Sequence, residues 1–463
     1  MAHPYMPNST PDTKSAMMRA VGITDVDELF EQIPAGHLLA KPIALAPGIR
    51  AESTLQRRVR TLLDRNDSCA ENLNFLGAGC WQHHVPAVCD EIGSRSEFLT
   101  PVWGTPSSDH GRNQAWFEYA SQLGELVGME FVGLPVYSWG AAAGHALRMA
   151  ARMTGRHEVL VPDTLDPERL AVIRTYCGPS EVDHPLTVRT VAHDPATGRV
   201  DHADLEAKLS DTTAAVYLET PNYLGVIEAG AAEVAELAHR HGAELVVGVD
   251  PISLGVLLPP SEYGADIVVG TTQPLGVHMN AGGGVGGFIA TRDEERYARE
   301  YPTLQVSLAD TIVPGERAFG MTLFHQTSYG SREDGNDWTG NSVYLWTVVN
   351  AVYMALMGPQ GFAEIGESIV RNSAYAARRV GEIPGVTVRW TGFFKEFVVD
   401  FTETGKTVAQ LNEALRGKGI FGGKDLSADF PELGQSALYC VTEVHTESDI
   451  TALVGALTEA VTA

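Results

Sequence analysis

Two short segments of the chain carry residue types that suit a phosphate and a cationic ring. In the first, Ser138-Trp-Gly140-Ala-Ala-Ala-Gly144 stands just before an alanine-rich stretch with helical spacing. Small residues at a helix N-terminus let backbone N–H groups approach a phosphate, and the helix dipole favours the anion. A serine followed by glycine is also typical of an ordinary helix cap, so Ser138 and Gly140 have both interpretations.

The second segment is Gly248-Val-Asp250-Pro-Ile-Ser253, in which an aspartate follows the apolar run Glu244–Val249. Enzymes that use pyridoxal phosphate need a carboxylate against the pyridinium nitrogen, because its charge keeps that nitrogen protonated and the ring an electron sink. Asp250 follows the Ser138 turn and a buried strand, which fits that role. An aspartate in this place can also simply cap the next turn.

The distribution of lysine bears directly on such a cofactor. Enzymes that hold pyridoxal phosphate use a lysine shortly after the aspartate to form an internal Schiff base. The chain has seven lysines, and none lies between Lys208 and Lys395. The strand predicted after Asp250 ends in Gly270-Thr-Thr-Gln273-Pro-Leu-Gly276, where no amine is present. The sequence therefore predicts that this chain does not hold the cofactor covalently.

The surrounding sequence predicts the elements that would position these residues. Residues 1–65 indicate a helical arm, residues 66–341 a large α/β domain and residues 342–463 a smaller C-terminal domain that opens with a long helix over residues 343–357. Apolar runs bounded by Gly or Pro are typical of parallel strands that are covered on both faces. The runs are Glu158–Pro162, Ala214–Leu218, Glu244–Val249 and Asp266–Gly270. Ligand chemistry is expected at the carboxyl ends of these strands.

Composition indicates an acidic protein without a membrane segment. The 463 residues include 33 Lys+Arg and 58 Asp+Glu, a net charge of −25, so nucleic acid is not expected as a partner. No apolar stretch reaches the ~18 residues of a membrane span, and the start of the chain does not read as a signal peptide. The five cysteines form no CxxC pair, which fits a reducing cytosol. We therefore expect a cytoplasmic protein.

Several collinear motifs resemble those of one family. They are Pro7-Asn8 with the following helix, Phe75-Leu-Gly-Ala-Gly79, His83-His84-Val-Pro-Ala87, Ser94-Arg-Ser-Glu-Phe98, Asp250-Pro-Ile-Ser-Leu-Gly255, Pro260-Ser-Glu-Tyr-Gly-Ala-Asp266 and Gly270-Thr-Thr-Gln-Pro-Leu-Gly276. From the N-terminal arm to about residue 380, the chain resembles subunit 1 of glycine dehydrogenase (decarboxylating), the N-terminal half of the glycine-cleavage P-protein.

The resemblance implies a fold and a reaction. The fold is the α/β scaffold of fold-type-I pyridoxal-phosphate transferases, which is aspartate-aminotransferase-like, with a smaller α+β C-terminal domain and a helical N-terminal arm. A lysine-bearing subunit 2 is implied to hold pyridoxal phosphate in an α2β2 heterotetramer. In the family reaction, an oxidoreductase-class activity of glycine catabolism, glycine is decarboxylated and the aminomethyl group passes to the lipoyl group of H-protein.

Further residues are candidates for the active-site rim or a partner-facing surface. His83 and His84 could contact the substrate carboxylate or the partner chain, and equally one could be packed and the other exposed. A metal is not expected, because no carboxylate or cysteine stands near them at ligand spacing. The glycine-rich segment Asn280–Gly287, with Gly282 and Gly283, could cradle a phosphate. It does not open a Rossmann βαβ unit, so dinucleotide binding is not expected.

Three segments depart from the pattern of the family that the chain resembles. They are Thr100–His110, the glycine-rich segment Asn280–Gly287, and Ser331–Asn341, which ends in the candidate residue Asn341. We expect all three near a subunit interface or a substrate channel. They put the substrate in question and leave open a repurposed paralogue that acts with its own lysine-bearing partner on a glycine-like amino acid in specialised metabolism.

Two further functions remain open. A self-sufficient pyridoxal-phosphate enzyme is disfavoured by the missing lysine. The other is a regulatory or structural pseudo-enzyme. In that case substitution of His83, His84 or Gln273 would leave turnover by the complex unchanged, whereas in an enzyme subunit it would change turnover.

Overall fold

A computed structural model describes most of the chain. The described residues are 5–39, 41, 43–98, 106–178, 185–279, 286–322, 332, 335–340 and 343–463. They belong to two compact units, residues 1–67 and residues 68–463. No helix of the described ranges is long and apolar enough to cross a membrane.

The described elements of the first unit are helical. Helix α1 (Pro11–Val21) starts with proline in its first turn and ends at Gly22 in the left-handed conformation. A capping box stabilises the start of the 3-10 helix Val26–Phe30. The Asp25 side chain accepts a backbone N–H of the first turn, and the Glu28 side chain accepts the backbone N–H of Asp25. Helix α2 (Glu52–Leu63) follows, and none of these helices has a buried residue.

The second unit contains the remaining elements. Its α-helices are α3 (Ala87–Gly93), α4 (Pro106–Val127), α5 (Trp139–Thr154), α6 (Pro167–Cys177), α7 (His202–Lys208), α8 (Ala231–Arg240), α9 (Glu295–Ala298), α10 (Trp346–Gly381), α11 (Val408–Arg416) and α12 (Glu447–Thr462). Short 3-10 helices include Ser96–Phe98, Pro251–Gly255, Pro260–Tyr263, Thr402–Thr404 and Pro431–Leu433.

Within the described residues, the strands of the second unit form one large sheet, one smaller sheet and three short pairs. They are β1 (Leu73–Asn74), β2 (Phe131–Val132), β3 (Glu158–Pro162), β4 (Thr187–Val191), β5 (His193–Asp194), β6 (Arg199–Val200), β7 (Thr213–Glu219), β8 (Glu244–Val249), β9 (Ile267–Thr271), β10 (Gly287–Thr291), β11 (Gln305–Asp310), β12 (Arg317–Thr322), β13 (Thr387–Val388), β14 (Glu396–Asp400), β15 (Ile420–Phe421), β16 (Lys424–Asp425) and β17 (Ser436–Cys440).

The large sheet has seven strands in the order β2-β10-β9-β8-β7-β3-β4. Strands β9, β8, β7, β3 and β4 are parallel neighbours, and β10 is antiparallel to both β9 and β2. Successive side chains of β8 alternate between two hydrophobic clusters: Leu245 and Val247 lie in one, Val246 in the other. Both faces of the sheet are therefore covered, which explains the uninterrupted apolar runs in the sequence.

The C-terminal part of the second unit contains the four-stranded antiparallel sheet β13-β14-β17-β16. Strand β13 of this sheet is short, since only Thr387 and Val388 pair with β14. The long helix runs well past the predicted end at Met357. Its backbone departs from helical geometry at Gly358 (φ 56°), before Pro359, and the chain then resumes the helix as far as Gly381.

A close approach joins the large sheet to the small one. Gly225, in the loop after β7, has a φ of +88°, and a Cβ there would lie 2.0 Å from the backbone oxygen of Glu396 at the start of β14. Val226 also pairs with Phe393 in an isolated antiparallel bridge. These contacts bring the residues just before β14 to the edge of the large sheet where β7 and β8 end.

Candidate functional site

Asp250 follows β8 at the carboxyl edge of the large sheet, and only 3% of its surface is exposed. Its Oδ1 accepts a hydrogen bond of 3.1 Å from the backbone N–H of Ile252, so it caps the 3-10 helix Pro251–Gly255. The turn-cap interpretation is thus correct for one carboxylate oxygen. The other oxygen, Oδ2, faces into the interior and needs a cation, because an unpaired buried carboxylate is costly.

That cation is Lys395, which lies one residue before β14. Its Nζ is 2.7 Å from Asp250 Oδ2, and the two side chains are 3% and 4% exposed. The contact is an ion pair in which no well-aligned hydrogen bond reaches Oδ2. The ammonium also stands 3.4 Å from the ring centroid of Trp81, where a cation is attracted by the π face. Reasoning from the sequence missed this amine, because Lys395 bounds the lysine-free window instead of following the next strand.

His83 continues this arrangement toward the surface. Its Nε2 lies 3.1 Å from Lys395 Nζ, and its Nδ1 lies 2.8 Å from Glu443 Oε2. The tautomer with hydrogen on Nδ1 satisfies both contacts, because it donates to Glu443 and accepts from the ammonium. The backbone N–H of His84 donates to the other oxygen of Glu443 at 2.7 Å, whereas the rest of His84 is exposed. The four side chains Glu443, His83, Lys395 and Asp250 therefore form one chain of contacts, which we call the lysine relay.

Two carboxylates, Glu396 next to Lys395 in the chain and Glu443 linked to it through His83, have pKa values shifted in opposite directions. Burial raises the pKa of Glu396 to about 7, although the Ala78 N–H at 2.6 Å and the Lys395 charge oppose the shift. Burial also acts to raise the pKa of Glu443. Attraction and hydrogen bonding from His83, with the His84 N–H, outweigh it and lower that pKa to about 2. Glu443 is thus the anionic end of the lysine relay.

The turn at Ser138 and Gly140, which the sequence suggests as a phosphate site, lies at the start of α5. Both residues have structural roles within the protein. Ser138 Oγ accepts the Ala141 N–H at 3.2 Å, so it acts as the helix cap. A Cβ on Gly140 would lie 3.0 Å from Val172 Cβ, which makes this glycine a packing contact between α5 and α6. The residue between them, Trp139, turns its ring into the space beside Trp81, with the ring centroids 6.2 Å apart.

A second buried ion pair, between Arg169 and Glu219, lies against the ring of Trp139. The Arg169 guanidinium lies 3.8 Å from the Trp139 ring centroid and donates through Nη1 to both oxygens of Glu219 at 2.7 Å. Tyr217 donates to Glu219 at 2.7 Å and accepts the Trp139 Nε1–H at 3.1 Å. Every one of these polar groups therefore has a partner inside the chain.

Gln273 follows β9, and its side-chain amide supports the backbone at Trp81. Its side-chain oxygen accepts the Trp81 backbone N–H at 3.4 Å, and its side-chain nitrogen donates to the Val277 carbonyl at 3.1 Å. Gln273 is 2% exposed. Its amide thus supports the residue that the Lys395 ammonium contacts, instead of pointing to a ligand.

The structure brings some of the candidate residues together and not others. His83, Asp250 and Gln273 surround Trp81 and Lys395, while Ser138 and Gly140 serve the start of α5. Three candidates, Gly282, Gly283 and Asn341, lie outside the described residues, as do large parts of the three departing segments. Across the described ranges, no group of three or more His, Cys, Asp or Glu side chains could hold a metal ion.

The described residues at Asp250 do not fit pyridoxal phosphate. The cavity is lined by Trp81, Trp139, Arg169, Glu219, Tyr223 and Lys395, among others, and has a volume of about 20 Å³. That is room for about one water molecule, whereas sites for ligands of this kind need roughly 300–1,000 Å³. The Lys395 ammonium also occupies the place at Asp250 that a pyridinium nitrogen would need.

Comparison with known proteins gives full-length matches. Residues 3–457, which include the arm, match the family described as Glycine cleavage system P-protein. The chain is 36% identical to the probable glycine dehydrogenase (decarboxylating) subunit 1 of Staphylothermus marinus over 99% of this chain and 98% of that protein. It is also 36% identical to the protein of that name from Pyrococcus furiosus, over 99% and 100%.

Solved structures agree in fold. A crystal structure of glycine decarboxylase (P-protein) of the glycine cleavage system superposes with a TM-score of 0.87 at 32% identity, covering 99% of this chain and 100% of that one. Sphingosine-1-phosphate lyase from Burkholderia pseudomallei, at 16% identity, has a TM-score of 0.65 over 92% and 94%. The predicted fold class, the fold-type-I pyridoxal-phosphate scaffold, is confirmed. The chain belongs to the glycine cleavage system P-protein family.

Proposed function

We propose that this chain is subunit 1 of a two-subunit glycine decarboxylase. The enzyme decarboxylates glycine and transfers the aminomethyl group to the lipoyl group of H-protein. Pyridoxal phosphate is held by a lysine-bearing subunit 2, and this chain completes the assembly without holding the cofactor. The names of the relatives, with matches over nearly the whole chain, support the activity and the division into subunits.

One observation carries the division of labour. The Lys395–Asp250 ion pair fills the place of the cofactor ring inside a cavity of about 20 Å³. A chain of this family with its cofactor place filled by its own side chains needs another chain to supply the reactive site. The lysine-free window of residues 209–394 supports the same assignment from the sequence.

A reduction experiment tests the location of the cofactor. The two purified chains are mixed with pyridoxal phosphate, treated with sodium borohydride and digested, and the pyridoxyl-modified lysine is identified by mass spectrometry. We expect the modification on the partner chain alone. A stoichiometric pyridoxyl adduct on Lys395, in the mixture or in this chain by itself, would contradict the assignment.

An activity assay tests the reaction. We expect release of carbon dioxide from glycine by the two chains together with lipoylated H-protein, and none by either chain alone. Unlipoylated H-protein is the matched control, because it lacks the group that accepts the aminomethyl. Poor turnover of glycine with good turnover of a related amino acid would favour the repurposed paralogue over the housekeeping enzyme.

The compartment is part of the same proposal. All five cysteines are free thiols in the described structure, and Cys89, Cys177 and Cys440 are buried. Free thiols persist in a reducing compartment. We therefore assign the assembly to the cytoplasm, and fractionation of cells with an antibody against this chain tests that assignment.

A further inference from the structure

The small cavity beside Lys395 has the size and the lining of a binding site for one water molecule. Its volume is about 20 Å³, and its lining includes the polar side chains of Trp81, Arg169, Tyr223 and Glu396. A cavity needs roughly 10–15 Å³ to hold a water molecule, and such a molecule is retained where about two to four polar groups can bond to it. The cavity meets the first condition, and its polar lining bears on the second.

Trp81 brings an unsatisfied donor to this cavity. The residue is 3% exposed, and its Nε1 has no hydrogen-bond partner of good geometry among the described residues. A buried N–H without a partner is costly, because the group has given up its hydrogen bond to solvent. The neighbouring indole of Trp139 has such a partner, since it donates to the Tyr217 hydroxyl at 3.1 Å. The Trp81 N–H therefore needs an acceptor that the surrounding side chains do not supply.

The Glu396 carboxylate lies near this N–H. It is 5% exposed, and its Oε1 accepts the Ala78 N–H at 2.6 Å. Burial raises the pKa of Glu396 to about 7, and the Trp81 indole is among the groups that oppose this rise, so the indole and the carboxylate are close to each other. Two polar groups that are close but not joined by a well-formed hydrogen bond are the arrangement that a water molecule bridges.

We propose that one structural water molecule occupies this cavity, where it accepts the Trp81 Nε1–H and donates to the Glu396 carboxylate. Arg169 and Tyr223 line the same space and offer it further polar groups. The water thereby connects the segment before α3, which carries Trp81, with β14, which begins at Glu396. Every group of the site belongs to residues 68–463, so the site needs no second chain.

A crystal structure of the full chain, at a resolution that shows ordered water, tests the site. We expect one water peak within hydrogen-bond distance of both Trp81 Nε1 and a Glu396 oxygen. Trp81→Phe keeps an aromatic ring and removes the donor, so the peak should be lost from this position. Trp390→Phe is the matched control, because the Trp390 N–H already donates to the Pro195 carbonyl at 3.0 Å. That variant should keep the water peak.

Nuclear magnetic resonance measures the same contact in solution, on the unchanged chain with isotope-labelled tryptophan. The Trp81 indole signal is identified by its loss in Trp81→Phe. It should show cross-relaxation with water of the sign that marks a long-lived bound molecule, and the Trp390 indole should show none. Glu396→Gln removes the exchangeable carboxyl proton, so persistence of the signal in that variant identifies bound water and not a proton relayed from Glu396.

The contrary outcomes separate this inference from the proposed function. An indole N–H that donates directly to Glu396, with no water peak in the cavity, would overturn the water site and leave the two-subunit enzyme standing. Loss of the Trp81 cross-relaxation in Glu396→Gln would also overturn it, because the signal would then come from the carboxyl proton. Density for pyridoxal phosphate in this cavity would overturn both the water site and the proposed division of labour.

Discussion

The Lys395 ammonium lies 2.7 Å from the Asp250 carboxylate, with both side chains almost fully buried. In a fold-type-I pyridoxal-phosphate scaffold, a carboxylate at the end of this central strand suits a cationic ring nitrogen. Here the chain supplies that positive charge from its own small sheet. Asp250 is thereby neutralised without any ligand, and the site becomes a structural joint between the two sheets.

The first prediction concerns the energy of this joint. Lys395→Met removes the cation and leaves the buried Asp250 carboxylate without a counter-charge, since His83 and Trp81 contact the lysine. We expect the free energy of unfolding to fall by about 3–5 kcal/mol, measured by urea denaturation. The double variant Asp250→Asn/Lys395→Met should regain a large part of that loss, because no buried charge is left unpaired.

An exposed lysine provides the control. Lys418 forms an ion pair with Glu459, and these side chains are 41% and 71% exposed. Lys418→Met should cost less than about 1 kcal/mol, because water already screens the pair. If Lys395→Met is no more destabilising than Lys418→Met, the buried pair does not join the two sheets.

Some elements of each unit could be predicted from the sequence, because their signals are local. Asp25 with Glu28 marks a capping box, and the apolar run Glu244–Val249 bounded by glycine and aspartate marks a buried strand. The end of the long helix was placed too early, at Met357. The Gly358-Pro359 pair is a breaker signal, but here it produces a kink within a continuing helix.

The lysine relay could not be read in the same way. Asp250 follows a strand of the large sheet and Lys395 precedes a strand of the small one, and no spacing rule connects them. The one available signal was the segment Phe393–Val399, where Lys395 and Glu396 interrupt an otherwise apolar run. Charged residues in a buried strand must find partners inside the protein, so this pair could have been marked as part of a buried ion pair.

The second prediction is a pH effect at Glu396. Its pKa is raised from 4.5 to about 7 in the folded protein, so the folded state binds a proton that the unfolded state has released. Stability is then lost as the pH rises from about 4.5 to about 7, by about 3 kcal/mol for this group. Glu396→Gln cannot titrate, so we expect its free energy of unfolding to fall less over this range.

Urea denaturation at a series of pH values measures this difference. Burial also raises the pKa of Glu228 to about 7. Glu228 therefore still contributes to the pH dependence of stability in the Glu396→Gln protein. Adding Glu228→Gln should therefore flatten the profile further. A slope identical to that of the unchanged chain between pH 5 and 7 would contradict the prediction for Glu396.

The third prediction has the opposite sign and concerns Glu443. Its pKa lies at about 2 in the folded protein and near 4.5 in the unfolded chain, so its contribution is present above about pH 4.5. This contribution, about 3 kcal/mol, is lost as the pH falls toward about 2. Glu443→Gln should make the acid side of the stability profile shallower and leave the slope between pH 5 and 7 unchanged.

The fourth prediction tests how tightly side chains fill the space near Asp250. A Cβ on Gly248 would lie 2.5 Å from the Tyr217 hydroxyl and 3.0 Å from Trp139 Nε1. Gly248→Ala must push these side chains apart, so we expect a loss of about 1–3 kcal/mol in the free energy of unfolding. The near-ultraviolet circular dichroism of the tryptophans should change with it, because Trp139 has to move.

Gly455 in α12 is the matched control for that substitution. No atom lies within 4 Å of a Cβ there, and the residue is exposed inside a helix. Gly455→Ala should therefore leave stability unchanged or raise it by up to about 1 kcal/mol, since alanine loses less backbone freedom in a helix. Equal effects of the two substitutions would mean that the space beside Asp250 is open enough to admit a methyl group. The case that this chain's own side chains exclude a cofactor would then fail.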